Sequence, residues 1–441
     1  VGAYHFCYGF LKEGVMRKAI LILSTIILLL SLPACTGQPK DPKEFHGTLK
    51  IWACTDEIKK MIDRFESIYT GVKVELLIVP CGDLHMGRRP RIPDPEDERA
   101  PDLLTAEYSE VIDLVESGFY TDLGQFNPHT EDLVDYVVDV GTDSSGKLRL
   151  LSWSMTPGGL YYRRSIAKKY LGTDDPEQIG EMLSTTDTFL DTARRLKEAS
   201  GGNVKLIAGY GDYQQYQFSQ RKQSFVVDGR LNLEQPVLDY FDIAKIMRDE
   251  ELTAEIGTWS PPWFENMNKA EPEIFGYILP TWGLHYVIKS NAKDTIGDWG
   301  LCRGPGSYFW GGTWMGINRC SKNRELAWEF VKMCVFDENT LVWWSRQIGE
   351  YIDNVICNEN VIENIKNDFS DELLAGQNHY LFFADEASKI NGKLLGRYDL
   401  DIREFFMGAV NNYVEGTMTK QEAIKQFKDD VKKAFPKVQV E

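Results

Sequence analysis

Carboxylates and aromatic rings recur where the strands of this sequence are expected to end. Thr55, Asp56 and Glu57 follow an extended run at 48–53, Glu107 and Tyr108 follow one at 102–105, and Trp153 closes one at 148–153. Tyr210, Asp212 and Tyr213 follow a run at 204–208, and Trp282 follows one at 274–279. In open α/β sheets, ligands sit beyond the carboxyl ends of the strands. A mixture of rings and carboxylates there suits a ligand with flat C–H faces and many hydroxyls, since the rings take the faces and the fixed polar groups take the hydroxyls. Trp314, in Gly311-Gly312-Thr313-Trp314, joins the candidates, as do Trp259 and Trp263 beside a Pro-Pro pair. Each has a plainer alternative: Asp56 and Glu57 also suit a helix N-terminus, the tryptophans also suit a core, and the tyrosines and carboxylates also suit ordinary loops.

No sequence signature of catalysis accompanies these residues. GxxxxGK[ST], GxGxxG after a strand, HExxH and GxSxG are all missing, and carboxylate pairs are too common in so acidic a chain to assign a glycosidase acid and base. With six His and no CxxC spacing, neither a metal site nor a cofactor is expected. The net charge of −17, spread without blocks, argues for solubility and against nucleic acid. Aromatic residues make up 12%, with 11 Trp and 20 Tyr, a surplus that favours a surface both apolar and hydrogen-bonding.

The elements that must position these residues alternate. A strand at 48–53, a helix at 56–69 and a strand at 72–79 form a βαβ unit, whose two strands are expected to be parallel. Cys54 and Cys81 close its two strands, and are either a disulfide or two separate buried thiols. Helices at 188–199, 236–250 and 323–336, strands at 204–208, 274–279 and 314–318, and amphipathic helices reaching 435 complete two α/β lobes, as 441 residues suggest. Ahead of them, Arg17 and Lys18 precede a mainly apolar region of fourteen residues at 19–32, too short a run to span a bilayer comfortably. This reads as an export signal, and Leu32-Pro33-Ala34-Cys35 resembles a bacterial lipobox, which would leave a lipid-modified Cys35 as the new N-terminus.

Six segments in order carry a wider resemblance: Gly47-Thr48-Leu49-Lys50-Ile51-Trp52, Ala100-Pro101-Asp102-Leu103, Gly146-Lys147-Leu148, residues 157–164 (PGGLYYRR), residues 311–317 (GGTWMGI) and residues 323–330 (NRELAWEF). Together they resemble the extracellular solute-binding proteins of family 1, over nearly all of 45–435. The resemblance implies a two-lobed type II periplasmic-binding fold, each lobe a mainly parallel sheet flanked by helices, with hinge crossings between lobes. On this reading 1–34 is leader and signal, 35–44 a tether, 45–154 with 303–353 the first lobe, and 157–302 with 354–441 the second. It implies capture of a carbohydrate, expected to be an oligosaccharide, and delivery to the permease subunits of an ABC importer by a monomer without enzymatic activity. Trp282 is placed like a ligand-stacking Trp of the maltose-binding relatives, and Tyr398 and Asp399 resemble a segment near their cleft. The family pattern has Asn where Arg163 stands, a position expected on a surface turn. A secreted glycoside hydrolase and a sugar-sensing lipoprotein without a transporter are the alternatives. Because no second anchor is visible, Cys35→Ala is expected to move the protein from the membrane to the soluble fraction on cell fractionation.

Overall fold

The computed structural model describes residues 45–79, 92–347 and 355–441. The signal segment, Cys35 and Cys81 lie outside the described residues, so the lipobox and the Cys54–Cys81 alternatives stay as sequence expectations. Residues 46–441 form one compact unit.

Ten strands run through the described residues: β1 (Gly47–Ala53), β2 (Val72–Ile78), β3 (Leu103–Glu107), β4 (Leu151–Ser152), β5 (Gly158–Arg163), β6 (Val226–Val227), β7 (Arg230–Leu231), β8 (Gly276–Pro280), β9 (Trp299–Cys302) and β10 (Thr313–Ile317). The first lobe is built on the sheet β2-β1-β3-β10-β4, the second on β8-β5-β9, and β6 pairs with β7 alone. β1 and β2 are parallel neighbours with Ala53 opposite Ile78, as the βαβ reading required. The helix between them, Lys59–Ile68, buries Met61, Ile62 and Phe65.

Strand direction departs from the mainly parallel sheets expected. In the first sheet β10 is antiparallel to β3, and in the second β5 is antiparallel to both β8 and β9. The cause lies in the crossings between lobes. β5 starts where the chain leaves the first lobe and β10 where it returns, so both run away from the interface, while β3 and β8 run towards it.

The run 204–208 is extended but joins no sheet as a full strand, because its partners are single bridges on opposite sides, Lys205 with Ile274 and Ile207 with Thr253. Of the stretch 354–441 expected in the second lobe, Val355 to Ile365 is held by the first. Ile356 bridges Ser154, Asn358 bridges Leu133, and Cys357 Sγ lies 3.0 Å from the Ser152 carbonyl.

Local chemistry sets the helices that carry the site. Thr185 and Thr188 form a reciprocal capping box at the start of Thr186–Ala199. Pro261 and Pro262 open Pro261–Asn268, where a missing N–H costs nothing. The second-lobe core joins Leu160, Tyr162, Phe189, Tyr213, Tyr216, Tyr240, Phe275 and Phe406.

Arg163 is not on a surface turn. It is 3% exposed at the end of β5 and lies over the Trp299 ring; its Nη2 is 2.7 Å from Asp298 Oδ2, and its Nη1 donates to the Lys269 carbonyl at 2.8 Å. Where Asn would reach none of these partners, the guanidinium ties β5 to the turn before β9. Removing one partner of such a pair strands the other, so Arg163→Ala is expected to cost about 3 kcal/mol in urea unfolding. Arg163→Lys, which keeps the charge and loses the fork, should fall between the two.

Candidate functional site

Two cavities adjoin where the lobes meet, and Gln215 belongs to the walls of both. The larger, of about 230 Å³, is lined by Trp259, Trp263 and Trp310 together with Asp212, Gln214, Gln215 and Thr258. The smaller, of about 50 Å³, is lined by Tyr108 and Phe309 together with Ser219, Arg221 and Arg403.

The polar wall of the larger cavity comes from the helix Tyr210–Ser219, which begins directly after the extended Gly209. Asp212 in its first turn accepts a 2.6 Å hydrogen bond from Thr258 Oγ1. Burial nevertheless pushes its carboxyl up to about 6, against the lowering effect of Thr258 and the Gly209 backbone. The aromatic wall is a cluster. Trp259 stacks on Trp282 with ring centroids 6.1 Å apart and planes 21° from parallel, and both meet Trp310 edge-on. Trp282 Nε1 donates to the Trp310 carbonyl at 2.9 Å, so Trp282 backs the cavity wall and holds its neighbours in place. Trp259 is 44% exposed and has φ of 66°, a left-handed backbone that a bulky residue rarely adopts. An exposed indole held in strained backbone is the pattern of a binding surface, not of a core.

From the first lobe, Glu107 ends β3 and accepts a 2.6 Å hydrogen bond from Thr313 Oγ1, its register partner on β10. Burial pushes Glu107 up to about 7, with the nearby Glu110 adding to the rise and Thr313 opposing it. Tyr108, next along, donates its backbone N–H to Gly312 and packs edge-on against Phe309 at 5.5 Å.

The remaining sequence candidates lie elsewhere. Trp153 and Trp314 are each 1% exposed, Trp314 donating Nε1 to the Val137 carbonyl at 3.0 Å. Tyr213 is buried with its hydroxyl on Thr186 Oγ1, and Tyr210 reaches Asn411 Oδ1 with its own at 3.0 Å. Asp399 is buried in an ion pair, 2.7 Å from Arg221 Nη1, and also accepts backbone N–H groups of Phe225 and Gly396. Asp56 is exposed and Glu57 half-buried after β1, and neither lines the two cavities. Sequence reading missed Gln214, Gln215, Thr258, Trp310, Arg221 and Arg403. Only Trp310 carried a usable signal, as a tryptophan one residue before the Gly311-Gly312 pair.

Among the described residues no cluster of His, Cys, Asp and Glu could hold a metal ion, and no helix is long and apolar enough to cross a membrane. Residues 55–340 match the sequence pattern of the bacterial extracellular solute-binding protein family. The chain belongs to this family. Solved structures agree on the fold of this solute-binding protein. One described as extracellular solute-binding protein family 1 has a TM-score of 0.75 at 16% identity, covering 88% of this chain and 99% of its own. The sugar-binding protein MalE from Xanthomonas citri gives 0.72 at 13% identity, covering 89% and 98%. The galacto-N-biose-/lacto-N-biose I-binding protein of the ABC transporter from Bifidobacterium longum, in complex with lacto-N-biose, gives 0.63 at 13%, covering 90% and 99%. The two-lobed type II periplasmic-binding fold follows.

The raised carboxyl of Glu107 fixes a pH dependence. Between about 4.5 and 7 the unfolded chain has released this proton and the folded chain retains it, so rising pH favours unfolding across that window. Asp212 acts in the same sense between its ordinary value and about 6. Thermal midpoints measured from pH 4 to 8 are expected to fall through this range, and to fall less in Glu107→Gln; superimposable curves would remove Glu107 as a cause.

Proposed function

We propose that this solute-binding protein captures a carbohydrate, of oligosaccharide size, between its lobes and delivers it to the permease subunits of an ABC importer. It acts as a monomer anchored outside the cytoplasm through lipid on Cys35, and it catalyses nothing. The observation that carries the carbohydrate reading is a cavity of about 230 Å³ lined both by Trp259 and Trp310, with Trp282 packed behind them, and by Asp212, Gln214, Gln215 and Thr258. A pyranose presents a C–H face to stack on an indole and a rim of hydroxyls for amides and carboxyls, and this cavity offers both. The sugar-binding descriptions of MalE and of the lacto-N-biose-binding protein support the same class.

Capture works by closure. Tyr108 and Glu107 belong to the first lobe, while Trp259, Asp212 and Gln215 belong to the second, so a ligand that touches both sets favours the closed arrangement by its differential contacts. On this reading lobes 45–154 with 303–353 and 157–302 with 354–441 move about the crossings, with Val355–Ile365 travelling with the first.

A thermal-shift screen over a saccharide panel tests the class, since a ligand at about 100 times its dissociation constant stabilises by about 2.7 kcal/mol. Product analysis after incubation separates binding from glycoside hydrolysis: shortened saccharides would establish an enzyme. Trp259→Ala is expected to weaken binding of the stabilising sugar by about 2 kcal/mol, roughly 30-fold, without altering the fold. Trp282→Ala should weaken it by a similar amount and also lower the thermal midpoint of the free protein, because Trp282 supports both neighbouring rings. Calorimetry on the two variants checks the difference.

A further inference from the structure

The smaller cavity brings two guanidinium groups to the cleft, and their circumstances differ. Arg221 is fully engaged: Nη1 pairs with Asp399 at 2.7 Å, Nη2 reaches the Leu394 carbonyl at 3.4 Å, and Nε donates to the Phe218 carbonyl at 3.1 Å. Arg403 donates only its Nε, to Gln214 Oε1 at 2.9 Å, and its guanidinium lies 5.1 Å from the centre of the Phe218 ring. Its two terminal nitrogens have no hydrogen-bond or carboxylate partner among the described residues, and Arg403 lines the cavity together with Tyr108 of the opposite lobe. Asp399, the carboxylate whose charge acts on Arg403, is already paired with Arg221. Arg403 is therefore left without an ion-pair partner of its own among the described residues.

An uncompensated cation in a partly desolvated site is unfavourable unless something pairs with it. Burial here works against the charged form of Arg403, which is the sign of that cost. A planar guanidinium with free terminal N–H groups matches a carboxylate bidentately, a geometry that a single sugar hydroxyl cannot fill. About 50 Å³ has room for a group of a few atoms, not for a further sugar ring. The adjoining aromatic cavity would hold the ring itself, since Gln215 belongs to both walls and Gln214, the partner of Arg403, lines the larger one.

Resting on the carbohydrate reading above, we propose that the ligand is an acidic saccharide whose carboxylate, as in a uronic-acid residue, seats on Arg403 while its ring lies towards Trp259 and Trp310. The charge selects among sugars that the aromatic wall alone would accept.

Calorimetry with the full chain tests this with matched pairs: disaccharides of galacturonate, glucuronate and mannuronate, each beside its neutral hexose counterpart and a sulfated form of that counterpart. At least one uronate is expected to bind about 10- to 100-fold more tightly than its neutral partner, as charge-assisted hydrogen bonds imply. Arg403→Gln should bring the uronate and its neutral counterpart to equal affinity, whatever it does to the neutral affinity itself, and Arg403→Lys should restore part of the preference. The thermal midpoint of each free variant shows whether it is folded. Neutral sugars binding as tightly as uronates would overturn the inference and leave the carbohydrate reading standing. Preference for the sulfated form would overturn the carboxylate, and no binding by any saccharide would overturn the carbohydrate reading itself.

Discussion

Thr156 is the point on which the arrangement of both lobes depends. Its backbone N–H donates to the Tyr136 hydroxyl at 2.7 Å, its own hydroxyl donates to the Gly311 carbonyl at 2.9 Å, and its carbonyl accepts from Trp310 at 3.1 Å. The outgoing crossing is thus laced antiparallel to the returning one, and Gly158 N–H donating to the Tyr308 carbonyl at 2.9 Å extends the strip. A chain that must leave and re-enter along the same strip has its strand directions set for it: β5 and β10 run outward, and β3 and β8 end facing the strip. This brings Tyr108 from one sheet to the lining of the smaller cavity, with Glu107 beside it outside that lining, and sets Trp282 from the other behind the wall of the larger. Gly311 makes the meeting possible, since a Cβ there would lie 2.5 Å from Trp282 Nε1 and its φ of 84° already favours glycine.

A second tie to the first lobe lies in the segment between the helices His379–Ala387 and Asp399–Val414. A Cβ on Gly392 would come within 2.7 Å of the Tyr136 carbonyl and of Asp139 Cβ, so glycine is what lets the two backbones touch. Leu395 packs against the first-lobe core of Leu104, Leu114 and Trp314. The charged ties beside it are long, Arg397 to Asp113 at 3.5 Å and Lys393 to Asp139 at 3.7 Å, and both cations are more than half exposed. Such pairs contribute between about 0 and 1 kcal/mol each. The backbone contact is close, while its polar part contributes little.

The order of elements was legible because hydrophobic period and punctuation are local. The helix Gln235–Asp249 was expected at 236–250, and β8 at 274–279 against Gly276–Pro280. Strand direction in the second lobe was not legible, since it follows from where the chain crosses. Within the site, a strand end tells that a residue is near the cleft and not which way it points. β10 is buried along its whole length, so alternation carries no information about Trp314, whereas Tyr108, just past the end of β3, does line a cavity. Arg163, expected on a surface turn from the family pattern, is buried instead, because its partners Asp298 and Lys269 lie more than a hundred residues along the chain, beyond the reach of local pattern.

The aromatic surplus shows how composition both guides and misleads. Five tryptophans, Trp153, Trp263, Trp299, Trp314 and Trp344, are fully buried, and of these Trp263 alone also borders the larger cavity. Their large rings fill the spaces between sheet and helices, as any core residue would. What separates Trp259 from them is its backbone and exposure, not its type. Its left-handed torsion comes just before Ser260 and the two prolines that fix the start of Pro261–Asn268, so the loop has little freedom to relax the strain. Four rings, Trp263, Phe264, Trp282 and Trp310, hold its indole, yet 44% of the residue remains exposed. On the proposed reading that exposed face is where a flat ligand would stack, because stacking returns its benefit when the indole is already held at the angle the ligand needs.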